Sequence, residues 1–188
     1  VETKKCIIQD VLYKQLPEAL KYIRSKNKGI ITTISINAHL PNSVDLVADI
    51  ADHLDTLQIS MDGVGEVYEN VRLRGEYPLF YDNVKRIVEL CKDKRADVMF
   101  NFVAIKENYF TMAEVVEIAS ELGVDYINVT PFNVAAVTAH DISYYDFFHS
   151  DAFKNELKRA KDKADELKNV ELTIWDINTT SDLVQIAQ

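Results

Sequence analysis

Hydroxyl and amide side chains recur at the ends of apolar, β-branched runs in this sequence. Ser35 and Asn37 follow Ile30–Ile36, Ser60 and Asp62 end Thr56–Ser60, Asn101 lies within Asp97–Ile105 with Asn108 after it, and Asn128 and Thr130 close Asp125–Thr130. Brought to one mouth, such groups can hold a polar cofactor through many weak contacts. The same residue types also form ordinary turns and helix caps, so any chemistry depends on their convergence. Metal chemistry finds no frame here. The two cysteines, Cys6 and Cys91, are too far apart for a CxxC or CxxxCxxC set, and His39, His53, His140 and His149 show no HxxxH or HExxH spacing. There is no G-x-S-x-G and no glycine-rich phosphate loop among only 5 glycines. A hydrolase or lyase built on Asp62 or Glu76 therefore has little to stand on.

The elements that must position these residues are legible. Apolar residues at i, i+3, i+4 and i+7 mark amphipathic helices around Leu16–Ile23, Val47–Leu54, Phe80–Cys91, Val115–Leu122 and Phe153–Leu167. Pro17 sits in a tolerated first turn, Ser43 and Ser150 start helices, Thr111 and Glu114 read as a capping box, and Gly123 as a stop. Cys91 shares the apolar stripe of its helix and behaves as a small hydrophobe, whereas His53 belongs on a helix surface. Between the helices lie strand-like runs, with Val170–Trp175 as a further strand and Cys6–Gln9 as another candidate. Strict alternation demands parallel strands joined by crossovers, hence an α/β fold, either an open doubly wound sheet or a barrel. Residues 134–149 read as one irregular connection carrying Tyr144, Tyr145, Phe147 and Phe148.

The 188 residues, 47% of them hydrophobic, suffice for one core and a single domain spanning 1–188. With 30 acidic against 21 basic side chains, a net charge of −9 repels phosphate backbones, so nucleic acid is not an expected partner. No apolar run approaches the ~18 residues of a membrane span, and the first residues lack a signal-peptide pattern. The sequence reads as cytoplasmic, without a membrane partner.

The segment L-Q-I-S-M-D-G (Leu57–Gly63), followed by V-Y-E-N-V-R-L-R-G (Val67–Gly75), resembles the fourth-strand region of radical S-adenosylmethionine (SAM) enzymes. Asn101–Phe102–Val103 through Asn108 is similar to that family's next strand, E-L-G-V-D (Glu121–Asp125) and a strand ending in P-F to the one after, and S-I-N-A-H-L (Ser35–Leu40) to its T-N-G-x-x-L. The resemblance covers roughly residues 16 to 133. It implies a parallel (β/α) partial TIM-type barrel binding SAM across its strand ends. It further implies a 4Fe-4S cluster that cleaves SAM to a 5′-deoxyadenosyl radical, with the protein supplying orientation and exclusion of water. Carried over by position, it implies that Ser60 bonds the ribose or amino acid portion of SAM, that Arg74 pairs with the carboxylate, and that Asn101 contacts the ribose. Thr130 and Pro131 would pass near the adenine, and Asn37 would join from the third-strand motif. The R-x-R sequence leaves Arg72 as the alternative to Arg74, and Asp62 either shapes the turn before Gly63 or touches the ligand.

Three departures stand beside the resemblance. The family's CxxxCxxC is absent, no G-G-E stands near Gln9–Asp10, and Ile36 and Ala38 replace threonine and glycine of the third-strand motif. Three thiolates are needed to hold such a cluster with one iron open to SAM. The expected explanation is a barrel fragment truncated at its N-terminal end, with residues 1–15 holding at most the second strand and the cluster ligands lying upstream. Such a fragment is inactive alone and exposes a sheet edge through which it could self-associate. The alternative is a non-catalytic α/β binding or assembly module derived from the same scaffold. The substrate is not identified by these residues.

Overall fold

The computed structural model describes residues 5–8, 15–132 and 142–174. Its strands are β1 (Lys5–Ile8), β2 (Ile31–Ile36), β3 (Thr56–Ser60), β4 (Asp97–Ala104), β5 (Tyr126–Pro131) and β6 (Glu171–Ile174). Its helices are α1 (Leu16–Lys26), α2 (Ser43–Ile50), α3 (Glu66–Val71), α4 (Tyr77–Cys91), α5 (Met112–Leu122), α6 (Ile142–His149) and α7 (Asp151–Leu167). Every neighbouring pair of strands is parallel, and the strands lie side by side in chain order from β1 to β6. A doubly wound sheet needs a point where strand order reverses, and this order never reverses. The sheet is an open arc of a (β/α) barrel.

The helices cover one face of that arc. In chain order α1 packs on α2, α2 on α4, and α5 on α7, while the Tyr81 hydroxyl of α4 donates to the Glu121 carboxylate of α5 at 3.0 Å. Towards them point Ile34, Ile36, Leu57, Ile59, Val98, Phe100, Phe102, Ala104, Ile127 and Val129, all buried in one core with the helix stripes. On α4 that stripe is Phe80, Val84, Ile87, Val88 and Cys91, and each large side chain so buried contributes about 1.5–3 kcal/mol. Burial also pushes the Cys91 thiol up to about 11, so it is a packing group and not a nucleophile.

Local signals behaved unevenly. Ser150 caps α7, its hydroxyl accepting from the Phe153 N–H at 3.3 Å, and Gly123 ends α5 at φ +79°. The Thr111 hydroxyl instead donates to the Asn108 carbonyl at 2.8 Å. A tight turn over Tyr109–Thr111 puts that carbonyl within reach, so the capping box with Glu114 does not form. Helix α3 is too short for periodicity to reveal, and it is secured by Tyr68, which stacks on Phe80 with ring centroids 4.4 Å apart. The connection expected to be irregular ends in α6, where Phe147 and Phe148 each sit 5.1 Å from Phe153. Residues 134–141 of that connection, and Trp175 of the last expected strand, lie outside the described residues.

At the N-terminal ends of the strands a polar cluster fixes β2 against β3. Arg24 donates to the carbonyls of His53 and Ile30 at 3.1 and 2.8 Å, to the Thr32 hydroxyl at 2.9 Å, and pairs with Asp55. Asp55 also accepts from the Thr32 N–H and from Arg95 Nε, at 2.8 and 2.9 Å. Burial pushes this carboxyl up, but the Thr32 N–H and the two guanidinium groups outweigh it and hold it at about 2. A carboxylate held below its unfolded value adds stability that is complete above the unfolded pKa and lost as pH falls through the folded one. Asp55→Asn should therefore cost about 2 kcal/mol at neutral pH. It should also remove much of the fall in urea midpoint between roughly pH 4 and pH 2 that the parent chain shows.

Candidate functional site

The opposite face of the sheet and the loops at its C-terminal rim bring the polar residues together. Strand alternation turns Ser35, Gln58, Ser60, Asn101, Asn128, Thr130 and Thr173 away from the helices, and the pairing register aligns them. Ser60 lies opposite Asn101, Asn101 opposite Asn128, and Asn128 opposite Thr173. One row up, Val103 faces Thr130; one row down, Ser35, Gln58, Met99 and Tyr126 follow in turn. The Asn128 amide donates to Asn101 Oδ1 at 2.9 Å and to the Thr130 hydroxyl at 3.1 Å. Ser60, Asn101, Asn128 and Thr130 are all half-buried, open enough to meet a ligand.

Beyond the strand ends, Asp62 organises the rim. Its side chain is buried and pairs with Arg72, while its Oδ1 accepts from the Val103 N–H of β4 at 3.1 Å. Asn108, fully buried, completes the joint by donating to the carbonyls of Asp62 and Val103 at 3.2 and 2.9 Å and accepting from the Ile105 N–H at 2.8 Å. Arg72 also donates to Asn37 Oδ1 at 3.1 Å, so one guanidinium ties the β2 end to the β3 end. Asn83, a polar residue on the buried stripe of α4, holds the Asn37 loop by donating to the carbonyls of Ala38 and Leu40 at 2.9 and 3.1 Å.

Backbone geometry tightens the same region. Gly63 has φ +143°, and a Cβ there would lie 2.9 Å from Val67 Cγ1 and 3.0 Å from the Tyr68 nitrogen, so α3 can start this close to β3 only with glycine. Ala38 and Arg74 take left-handed conformations at φ 55° and 64° without being glycine. Both lie in rim loops, the region where such strain is often kept for function.

The expected site residues thus divide. Ser60, Asn101 and Thr130 share the open face, and Asn37 is exposed beside it, tied to Arg72. Arg74 is on an exposed loop, and no hydrogen bond or ion pair to it occurs among the described residues. The structure adds Asn83, Thr173 and Tyr68, and it joins Asn128, already among the strand-end amides of the sequence, to Asn101. A polar residue at a helix position flanked by Phe80, Val84 and Ile87 was a visible signal for Asn83. Thr173 and the pairing of Asn128 with Asn101 needed the register. The Tyr68 hydroxyl is buried without a hydrogen-bond partner, and burial raises it to about 12, with Arg72 pulling down and Asp62 pushing up. Among the described residues no three His, Cys, Asp or Glu side chains converge to hold a metal, and no helix is long and apolar enough to cross a membrane.

No protein-family model and no curated protein sequence matches the chain. Solved structures do. SuiB of Streptococcus suis, bound to S-adenosylmethionine, superposes with a TM-score of 0.67 at 16% identity, over 94% of this chain and 39% of SuiB. SuiB bound to its precursor peptide SuiA gives 0.63 at 18% identity, over 96% of this chain and 40% of that one. A domain of pyruvate-formate lyase-activating enzyme from Bacteroides vulgatus gives 0.59 at 15%, over 94% of this chain and all of that domain. The chain spans about two fifths of the length of SuiB. At these identities the likeness is one of fold.

Two rim substitutions should move stability in opposite directions. Asn108→Ala strands the Ile105 N–H and two carbonyls and should cost about 2–3 kcal/mol, whereas Tyr68→Phe removes an unpaired hydroxyl and should be neutral or stabilise by up to about 1 kcal/mol. Urea melts of the two variants beside the parent chain measure both.

Proposed function

We propose that this chain is the SAM-binding arc of a radical SAM enzyme. The observation that carries the proposal is the in-register row Ser60, Asn101 and Asn128 on the open face, with Arg72 anchored beyond its end between Asn37 and Asp62. The order of motifs along the sequence supports it, as does the fold shared with radical SAM enzymes, one of them solved with SAM bound. SAM offers ribose hydroxyls and an aminocarboxylate. On this reading Ser60 and Asn101 would bond the former, Thr130 and Pro131 would pass near the adenine, and an arginine would meet the latter. We assign that contact to Arg72, because two of its five N–H donors already fix the fork at the strand ends and the rest are unspent. Arg74, on its exposed loop, is left as a rim cation. The unpartnered Tyr68 hydroxyl, close enough to Arg72 and Asp62 to feel both charges, is a further group that a bound polar ligand would satisfy.

A 4Fe-4S cluster beside bound SAM would supply the electron that cleaves it, and the cleaved SAM would supply hydrogen abstraction from a substrate. Three thiolates hold such a cluster and the chain has 2 cysteines, so on this reading the cluster ligands are supplied from another part of the protein, and the protein works in the cytoplasm. This chain's own contribution is to bind and orient SAM. The open edges at β1 and β6 would there be covered or paired.

Calorimetric titration of SAM into the chain tests the assignment. Ser60→Ala, which removes a hydroxyl with no hydrogen bond among the described residues, should weaken binding about tenfold, as should Arg72→Lys, which keeps the charge and loses the fork. Arg74→Ala should change it by less than about threefold. Loss of binding in Arg74→Ala alone would move the carboxylate contact to that residue. In the full gene product, anaerobic cluster reconstitution should yield 5′-deoxyadenosine. A protein that neither binds SAM nor forms a cluster would instead be the non-catalytic module.

A further inference from the structure

The open-face row continues past the residues assigned to SAM. Asn128 lies next to Asn101 in register and Thr173 next to Asn128, so the row runs on towards β6. The hydrogen bonds give that extension a fixed polarity. Both N–H groups of Asn128 are spent, one on Asn101 Oδ1 at 2.9 Å and one on the Thr130 hydroxyl at 3.1 Å. Asn128 Oδ1 is then left as a bare acceptor, and Asn101 Nδ2 as a donor with both hydrogens free. Neither atom is buried without a partner, and among the described residues no other group bonds to either. The Thr130 hydroxyl, accepting from Asn128, keeps its O–H to donate and one lone pair.

The row itself carries no charge: Ser60, Asn101, Asn128 and Thr173 are neutral, as are Val103 and Thr130 one row up. One row down, the same face ends on the exposed Glu171, opposite Tyr126. The nearest carboxylate at the rim, Asp62, is buried and committed to Arg72 and the Val103 N–H. A ligand carboxylate would meet the Asn128 oxygen with no cation to offset it, and a ligand ammonium would meet the Asn101 N–H groups. One adjacent donor and acceptor, both neutral, complement a group that itself carries one acceptor and one donor side by side. A carboxamide or a peptide bond is such a group.

We propose that Asn101 and Asn128 form an amide-reading subsite. The C=O of a substrate amide accepts from one hydrogen of Asn101 Nδ2, the other being left for the SAM ribose, and its N–H donates to Asn128 Oδ1, with the Thr130 hydroxyl holding Asn128 in this orientation. The subsite deepens the proposed function, on which it rests for its place beside the cofactor, and it names the substrate class as amide-bearing and uncharged at the contact point. Asn128 is a positioning and specificity residue. It takes no part in bond breaking.

The test uses the ¹⁵N-labelled chain, whose asparagine side-chain N–H₂ signals are assigned from Asn101→Ser and Asn128→Ser. The probes are N-acetylglycine methylamide, N-acetylglycine as its carboxylate counterpart, and glycinamide as its ammonium counterpart. The neutral diamide should shift the Asn101 and Asn128 side-chain signals saturably, with an affinity at least fivefold above either charged probe. Asn128→Asp, which replaces the spent N–H₂ with a second oxygen and adds a charge, should abolish the Asn101 side-chain shift while the backbone spectrum stays folded. Equal binding of the carboxylate probe, or no saturable shift with the diamide in the parent chain, overturns the subsite even if the variant fails to fold. A SAM titration of the same sample keeps the two proposals apart. SAM shifts without diamide shifts remove the subsite and leave the cofactor assignment, and diamide shifts without SAM shifts do the reverse.

Discussion

Parallel pairing in unbroken chain order is the constraint on which the rest of this protein depends. Each crossover carries the chain over the same face of the sheet, so the helices form one layer and each strand has one face that must be apolar and one that need not. The apolar face holds residues such as Leu57, Phe100, Phe102 and Ile127, close to fully buried. The other face is released from core duty. Ser60, Asn101 and Asn128 can line up there without leaving a polar group stranded among hydrocarbon, which would cost a few kcal/mol each.

Strand register must hold for that row to exist, because a slip of one residue would send Asn101 into the helix layer and Phe102 out. Two polar joints pin it at opposite ends. At the N-terminal ends, Asp55 accepts from the Thr32 N–H and Asp125 from the Val98 N–H, each at 2.8–2.9 Å, so the residue before a strand closes the first free N–H of its neighbour. At the C-terminal ends, Asp62 and Asn108 do the same between β3 and β4. These bonds satisfy backbone groups that would otherwise be orphaned where the ladder stops. They also crowd carboxylates. Asp97 is raised by its burial and by the nearby Asp125 and Asp55, a repulsion that the Arg24 and Arg95 contacts to Asp55 offset.

The rim holds its geometry through contacts of its own. Arg72 is tethered at both of its contacts, the Asn37 loop is held from beneath by Asn83, and Gly63 and Gly75 let chain segments approach where a Cβ would clash. At Gly75 that Cβ would lie 2.9 Å from the Tyr68 ring and 3.0 Å from the Arg72 carbonyl. Fixing such groups before binding reduces the ordering cost paid at association. The unpartnered Tyr68 hydroxyl and His39 Nδ1 belong to the same set of rim segments.

From the sequence alone, the alternation of strand and helix, the stripes on α4 and α5, the Ser150 cap, the Gly123 stop and the polar strand ends could be read, because each rests on residues near one another in the chain. The motif around Ser60–Gly63 likewise pointed to a parallel (β/α) barrel fold. Strand order could not be read, since a crossover helix looks the same whether the next strand lands on one side of its predecessor or the other. Only the packed sheet decided between barrel and doubly wound sheet. The different surroundings of Arg72 and Arg74 could not be read for a related reason: R-x-R looks alike at both positions, and only the packed chain brings Arg72 to Asp62 and Asn37 and leaves Arg74 exposed. Thr111 had a good local partner in Glu114 and took the Asn108 carbonyl instead, because a tight turn brought that acceptor closer. Asn128 meets Asn101 across 27 residues of chain, and no local pattern encodes such a meeting; the register of two parallel strands does.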